Sequence, residues 1–142
     1  MRFDNLKQQL ERQEGFMSYA YQCPAGKWTV GIGRNIDKNG GKGITKDEAY
    51  YLLENDIKFF SEQLKEKIDW FEKLDEVRQD VLVNMAFNMG VGGILTFSNT
   101  LRLIKDGDYK DASVQMLKSK WAVQVGMRAK ELSKQLETGQ YQ

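Results

Sequence analysis

The chain has 142 residues, of which 41% are apolar, and a formal net charge of +1 at pH 7. This length and composition predict one compact domain with a core of its own, in two lobes that share a long helix. Histidine is absent and cysteine occurs once, which excludes Ser-His and Cys-His catalysis, an internal disulfide and the common zinc sites. If the chain is an enzyme, carboxylates must perform most of its acid-base chemistry.

The charge is distributed unevenly along the chain. Residues 99–142 hold 8 basic and 5 acidic side chains, whereas residues 1–98 hold 13 and 15. This surplus is far smaller than the basic stripe of a nucleic-acid-binding protein, so we expect no nucleic-acid partner. No window approaches the ~18 apolar residues of a membrane span, and the charged N-terminus resembles no export signal, so we expect no stable membrane insertion.

The first predicted elements are a helix and a hairpin. Phe3, Leu6 and Leu10 recur at steps of three and four residues, which predicts a short amphipathic helix that ends near Gly15. Glu14 would then lie at the helix end. Next, the runs SYAYQC and KWTVGIGR, rich in aromatic and β-branched residues, flank residues 24–26, which predicts two strands and a tight turn.

The rest of the chain reads as helices. Thr45 and Glu48 form a capping-box pattern before the longest helical stripe, which ends near Ile68. The segment VRQDVLVNMAFNMG predicts a largely buried helix, and short helices follow in SNTLRLIKDG, DYKDASVQMLKS and GMRAKELSKQLETG. The glycine-rich DKNGGKG and GVGG are expected to separate elements. The predicted fold class is α+β, a small N-terminal antiparallel sheet with an otherwise helical body.

The stretch EGFMSYAYQCPAGKWTVGIG, residues 14–33, carries the candidate chemistry. Eight residues separate Glu14 from Cys23, and five separate Cys23 from Thr29, which begins TVGIG. This resembles the phage-type lysozymes, the T4-lysozyme-like endolysins, whose motif is glutamate, eight residues, aspartate or sometimes cysteine, five residues, threonine and a T-x-G-x-G strand. Further matching fragments lie in register, and these are GITKDEA (43–49), NMAFNMG (84–90), FSNTLR (97–102), SKW (119–121), RAK (128–130) and TGQY (138–141).

The resemblance implies a lysozyme-like fold in a single domain, 1–142. Its N-terminal lobe would span about 14–60, and its C-terminal lobe about 61–142 together with the N-terminal helix 1–13. It implies a muramidase that hydrolyses the β-1,4 bond between N-acetylmuramic acid and N-acetylglucosamine in peptidoglycan, without a cofactor or metal. In this reaction Glu14 would donate the proton, and Thr29 would orient the water.

Two positions depart from the usual family pattern. Cys23 stands where most members have aspartate, and three roles stay open: it assists the water or the sugar, it forms a covalent glycosyl adduct, or it is an inert small residue. Arg34 stands where the family usually has histidine, and a pairing with an acidic side chain would survive there as an arginine ion pair.

The resemblance also implies substrate contacts outside the 14–33 stretch. Sugar contacts fall on Asn35, Phe87, Asn88, Thr100 and Gln115, although Phe87 equally fits a core position. Lys120 and Arg128 would bind peptide-stem carboxylates, with solvated surface charges as the alternative.

The leading interpretation is an endolysin for host cell lysis. The alternatives are a lytic transglycosylase and a catalytically impaired peptidoglycan-binding module. The resemblance further implies a monomer that accumulates in the host cytoplasm and reaches the periplasm through holin lesions.

Overall fold

The computed structural model describes residues 2–142 and contains three strands, seven α-helices and one 3₁₀ helix within that range. In chain order these are α1 (Asp4–Glu14), β1 (Met17–Gln22), β2 (Trp28–Gly31), β3 (Arg34–Asn35), α2 (Lys46–Lys67), the 3₁₀ helix (Phe71–Lys73), α3 (Glu76–Leu95), α4 (Ser98–Lys105), α5 (Tyr109–Met116), α6 (Lys120–Val125) and α7 (Met127–Thr138). The predicted α+β class is confirmed. Met1, which the sequence assigns to the first helix, lies outside the described residues.

The chain divides into two compact units, Met1–Tyr51 and Leu52–Gln142, and α2 runs from the first into the second. Helix α1 belongs to the first unit with the sheet, whereas the sequence groups residues 1–13 with the second lobe. The assignment of both lobes to one lysozyme domain stays a prediction.

The sheet of the first unit is antiparallel, with strand order β1-β2-β3. Tyr21 pairs with Thr29 across β1 and β2, and Thr29 pairs with Asn35 across β2 and β3. The predicted hairpin is therefore confirmed. Strand β3 is too short to leave a periodic signal, and it is defined only by its pairing with β2.

Helix boundaries follow local capping chemistry. The Glu48 carboxylate accepts the Thr45 N–H at 2.8 Å, and the Thr45 hydroxyl accepts the Glu48 N–H at 3.1 Å, which confirms the capping box of α2. Asp75 caps α3 through the Arg78 N–H, and Ser119 caps α6 through the Ala122 N–H. Each cap satisfies a backbone donor that lacks a partner within the helix.

The predicted break at GVGG is only partly correct. Helix α3 continues through these glycines to Leu95, but Gly90 departs from helical geometry with φ 77° and ψ 160°. Glycine adopts this positive φ without the steric penalty of a Cβ atom, so Gly90 bends the element instead of ending it.

The core of the second unit is built around the middle of α3. Val81, Leu82, Met85 and Ala86 are each at most 2% exposed, as the predicted stripe requires. They form one cluster with apolar side chains of α2, the 3₁₀ helix, α4, α5, α6 and α7, including Leu64, Phe71, Ile104, Met116, Trp121, Ala129 and Leu136. Burial of this apolar area supplies the main stabilising free energy of the unit.

Among residues 2–142, no single helix is long and apolar enough to cross a bilayer. Helices α3 and α4 pass such a test only as a pair, by length and composition, and they meet at a bend of 101°.

Candidate functional site

Glu14 is the last residue of α1, and its backbone is fixed by the helix end. The Gly15 N–H donates to the Glu11 carbonyl at 2.8 Å, and Gly15 adopts φ 74°, which turns the chain out of the helix towards β1. The Glu14 side chain is exposed and lies against Gly33 of the β2–β3 turn. The helix end therefore presents a carboxyl group to solvent beside the sheet.

Cys23 lies half-buried in the tight turn between β1 and β2. Its N–H donates to the Lys27 carbonyl at 2.9 Å, and its carbonyl accepts the Gly26 N–H at 2.8 Å. The Lys27 backbone N–H is the main group that lowers the pKa of the thiol; desolvation opposes it, while the Ala25 backbone and the Thr29 hydroxyl reinforce it. The turn thus gives the sulfur the hydrogen-bond donors that favour its thiolate.

Thr29 lies opposite Tyr21 in the centre of the sheet and is 5% exposed. Its hydroxyl donates to the Lys27 carbonyl at 2.9 Å, the same carbonyl that accepts the Cys23 N–H. The one hydroxyl proton can be donated to that carbonyl or to the Cys23 sulfur, whose pKa this hydroxyl lowers, and the lone pairs of the Thr29 oxygen can accept a hydrogen bond from another group. The structure therefore brings Cys23 and Thr29 together around one peptide carbonyl.

Asn35 organises the loop after β3. Its side-chain oxygen accepts the Asp37 N–H at 2.9 Å, and its carbonyl accepts the Lys42 N–H at 2.8 Å. The Asp37 carboxylate in turn accepts N–H groups of Asn39 and Trp28, which lowers the pKa of that carboxyl. Part of the hydrogen-bonding capacity of Asn35 is thus used inside the protein, and its sugar contact stays a prediction.

Arg34 forms the ion pair that the sequence leads us to expect. Its guanidinium contacts both carboxylate oxygens of Glu48, at 2.9 and 2.6 Å, and also donates to the Gly43 carbonyl. Hydrogen bonds from Arg34, followed by the Thr45 backbone, lower the pKa of Glu48 to about 2, and the same pair raises the pKa of Arg34. The pair joins β3 to the start of α2.

Three predicted contact residues line one cleft of the second unit. Thr100, Gln115 and Lys120 surround a space of about 430 Å³ between α4, α5 and α6. The lining also contains residues that the sequence did not single out, among them Ser98, Asn99, Lys118 and Ser119. The fragments FSNTLR and SKW contain three of these four, so their proximity in sequence to Thr100 and Lys120 was the available signal.

This cleft is suited to an anion. Helix α4 begins at Ser98, no side chain caps its first N–H groups, and its first residues line this cleft. Lys118 and Lys120 are exposed along the same lining, whereas Thr100 is only 4% exposed.

Phe87 and Arg128 lie together in a different groove of about 500 Å³. Phe87 is 43% exposed, so the core alternative is wrong, although its ring packs against that of Phe60 in a T-shaped arrangement. The Arg128 guanidinium donates to the side-chain oxygen of Asn84 at 3.0 and 2.7 Å. Arg128 and Lys120 thus line separate grooves.

Asn88 is exposed, and its side-chain oxygen accepts the indole N–H of Trp121 at 2.8 Å. Its amide nitrogen retains donors for another contact. Within residues 2–142, no group of three or more His, Cys, Asp or Glu residues has an arrangement that could hold a metal ion.

Comparison with known proteins identifies the family. The family model for phage lysozyme matches residues 11–137, which include the Glu14–Cys23–Thr29 pattern. The chain is 34% identical over 109 residues to an endolysin of Acyrthosiphon pisum secondary endosymbiont phage 1, covering 77% of this chain and 73% of that protein.

Two further relatives extend the comparison. The chain is 27% identical over 161 aligned positions to probable T4-type lysozyme 1 of Dictyostelium discoideum, covering 95% of each. It is 36% identical over 86 residues to the SAR-endolysin of Haemophilus phage HP1, covering 59% of this chain and 45% of that protein. Because the family model matches most of the chain, and its relatives are endolysins and T4-type lysozymes, the chain belongs to the phage lysozyme family and is a peptidoglycan-lytic, lysozyme-type glycosidase.

Proposed function

We propose that the chain is an endolysin that hydrolyses the β-1,4 bond between N-acetylmuramic acid and N-acetylglucosamine. In this proposal the Glu14 carboxyl protonates the leaving glycosidic oxygen. Thr29 accepts a hydrogen bond from the attacking water through its hydroxyl oxygen and so orients that water towards the anomeric carbon; the water adds its hydroxyl to that carbon, and its other proton passes to solvent. Glycoside hydrolysis needs such a proton donor and a second group that positions or supplies the nucleophile.

One observation carries this proposal. Glu14, Cys23 and Thr29 occupy the family spacing, and they stand on the helix end, the turn and the strand of one compact unit. The sequence places them 9 and 6 positions apart, yet the β1–β2 pairing returns the chain so that Thr29 faces Tyr21. The proposed proton donor, at the end of α1, and the proposed water-positioning hydroxyl, on β2, thus belong to the same compact unit.

Of the three roles open for Cys23, we favour the one that assists the water or the sugar. The backbone N–H groups that lower the thiol pKa favour negative charge on the sulfur, where most of the family has an aspartate carboxylate. A thiolate there would stabilise positive charge that develops on the sugar in the transition state. Formation of a glycosyl–sulfur adduct is the competing outcome, and intact mass of protein trapped with substrate distinguishes it.

The cleft at the N-terminus of α4 is proposed to hold the peptide stem of peptidoglycan. Stem carboxylates would meet Lys120, the added charge of Lys118, and the N–H groups at the start of α4. Thr100 and Gln115 supply neutral hydrogen-bonding groups to the same space. Asn35, Phe87, Asn88 and Arg128 stay as proposed contacts elsewhere on the glycan strand or stem.

The decisive test compares the wild type with Glu14→Gln on purified peptidoglycan. The glutamine keeps the size of the side chain and removes the transferable proton, so we expect the rate of release to fall by about 10²- to 10⁴-fold. Because Glu14 is exposed, the variant should unfold at the wild-type temperature. Equal rates in the two proteins would refute a catalytic Glu14 and favour the alternative of a peptidoglycan-binding module.

Mass spectrometry of the released muropeptides tests the reaction class. Hydrolysis leaves a reducing end with the mass of one added water, whereas a lytic transglycosylase leaves a 1,6-anhydro product. We expect reducing ends only. Anhydro products that require Glu14 would move the assignment to a lytic transglycosylase.

We further propose that the protein acts as a monomer and reaches peptidoglycan from the host cytoplasm through holin lesions. This part of the proposal derives from the endolysin resemblance and is tested by expression in cells with and without an inducible holin. Lysis without the holin would contradict it.

A further inference from the structure

The Glu14 carboxyl lies on a surface that only glycine can provide. A Cβ atom added to Gly33 would stand 2.7 Å from Oε2, 2.9 Å from Cδ and 3.1 Å from Cγ of Glu14. The two shorter distances are well inside van der Waals contact, so any side chain at position 33 would displace the carboxyl. Because the contacting atoms belong to a flexible side chain, that displacement costs little stability.

Backbone conformation alone does not distinguish Gly33 from the nearby Gly31. Gly31 and Gly33 flank the β2–β3 turn with nearly equal φ values, 71° and 69°, a conformation that favours glycine at both. A Cβ atom added to Gly31, however, would meet nothing within 4 Å. The two glycines therefore share one backbone requirement, and of this pair only Gly33 borders Glu14.

We propose that Gly33 is a positioning residue for the reaction, whose bare Cα sets where the Glu14 carboxyl stands. The inference rests on the proposed function, because Gly33 acts only through the proton donor. The Glu14 backbone is held by the end of α1, so the remaining freedom lies in its side-chain torsions. The surface of Gly33 limits those torsions on one side, and it thereby sets how closely the carboxyl can approach the sheet.

The consequence for catalysis follows from the sensitivity of proton transfer to distance. A displacement of about 1 Å can lower a rate by roughly 10²-fold, because the donor must lie within hydrogen-bond reach of the leaving oxygen. A Cβ at Gly33 would force Glu14 to move by a substantial part of that distance. The proton-transfer step should therefore slow, while groups that bind the substrate elsewhere are unaffected.

The experiment compares Gly33→Ala with Gly31→Ala as a matched control. Both variants place alanine at a positive φ, so we expect similar decreases in Tm. For peptidoglycan cleavage well below either Tm, Gly33→Ala should lower kcat by about 10- to 100-fold with KM unchanged. Gly31→Ala should keep kcat within about twofold of wild type, because its Cβ meets no neighbour.

Two additions keep the test decisive if an alanine variant folds poorly. Gly33→Asn and Gly31→Asn repeat the comparison with a residue that tolerates positive φ while it still carries a Cβ. In addition, the ¹³Cδ NMR signal of Glu14, assigned by its loss in Glu14→Gln, should move in both Gly33 variants and stay in place in both Gly31 variants.

The outcomes separate this inference from the proposed function. Equal kcat values for the Gly33 and Gly31 variants, with an unmoved ¹³Cδ signal, would overturn the positioning role and leave a catalytic Glu14 intact. Wild-type activity in Glu14→Gln would instead overturn the proposed function, and the positioning role with it.

Discussion

Residues 52–142 hold every apolar side chain of the buried core, whereas among residues 2–51 the one side chain more than nine-tenths buried is that of Thr29. Each unit, taken by itself, has a different basis for its structure. The second is organised around α3, whose middle residues are almost fully enclosed by other helices. The first is organised by hydrogen bonds of turns, by the capping box of α2 and by the Arg34–Glu48 pair.

Because of this difference, hydrogen bonds that position single atoms dominate in the first unit, and apolar burial that stabilises the fold dominates in the second. Apolar burial is strong but non-directional, so it stabilises a unit without fixing single atoms. Hydrogen bonds contribute less net free energy but fix direction, which suits the positions proposed for catalysis. Substitutions in both units test this division.

Leu82→Ala tests the apolar core of the second unit. Leu82 is 1% exposed, so its truncation should lower the free energy of unfolding by about 2–5 kcal/mol through lost burial and the resulting cavity. Leu95→Ala, at the end of the same helix and 40% exposed, should cost under about 1 kcal/mol. Urea unfolding followed by tryptophan fluorescence measures both. Similar costs for the two variants would contradict the role of the α3 core.

Thr29→Val tests the polar centre of the first unit. The variant keeps the side-chain shape and removes the hydroxyl, so cleavage of peptidoglycan should slow by at least about tenfold. The pKa of the Cys23 thiol should rise, because the Thr29 hydroxyl is one of the groups that lower it. The rate of Cys23 alkylation as a function of pH measures this shift. Thr29→Ser keeps the hydroxyl, and it should retain both the activity and the lowered thiol pKa.

Lys120→Gln tests whether the second unit contributes binding. Removal of one exposed charge from the α4 cleft should raise KM for peptidoglycan by about two- to fivefold at low salt, with kcat unchanged. The effect should decline as salt screens the charge. Lys105→Gln, at the end of α4 and outside the lining of that cleft, is the control. A larger effect of the control would remove the cleft from the proposal.

Glu48→Gln gives the smallest expected change, a Tm lower by a few degrees near neutral pH. The folded-state pKa of about 2 lies below the ordinary value of 4.5, so the ionised pair stabilises the folded state above about pH 4.5. That contribution should be lost as the pH falls from 4.5 towards 2. Tm measured from pH 7 to pH 2 should therefore converge for wild type and variant at the acidic end. A constant difference in Tm across this range would contradict the ion pair.

Elements with local signals could be predicted from the sequence alone. The capping box at Thr45 and Glu48, the apolar stripe of α3 and the turn at residues 24–26 each lie within a few positions, and all are confirmed. The family pattern likewise placed Glu14, Cys23 and Thr29 as candidates. Local signals suffice here because caps, helical periodicity and tight turns depend on neighbouring residues.

The folded chain alone establishes which distant residues meet. It paired Arg34 with Glu48, joined Thr100, Gln115 and Lys120 in one cleft, and placed Phe87 with Arg128 in another. The folded chain also brings Gly33 against Glu14. The sequence could not predict this contact, because glycine has no functional side chain that would mark it as part of a site. Such contacts depend on how the elements pack against one another. Two residues that are far apart in the sequence leave no local or periodic pattern that would show that they are in contact.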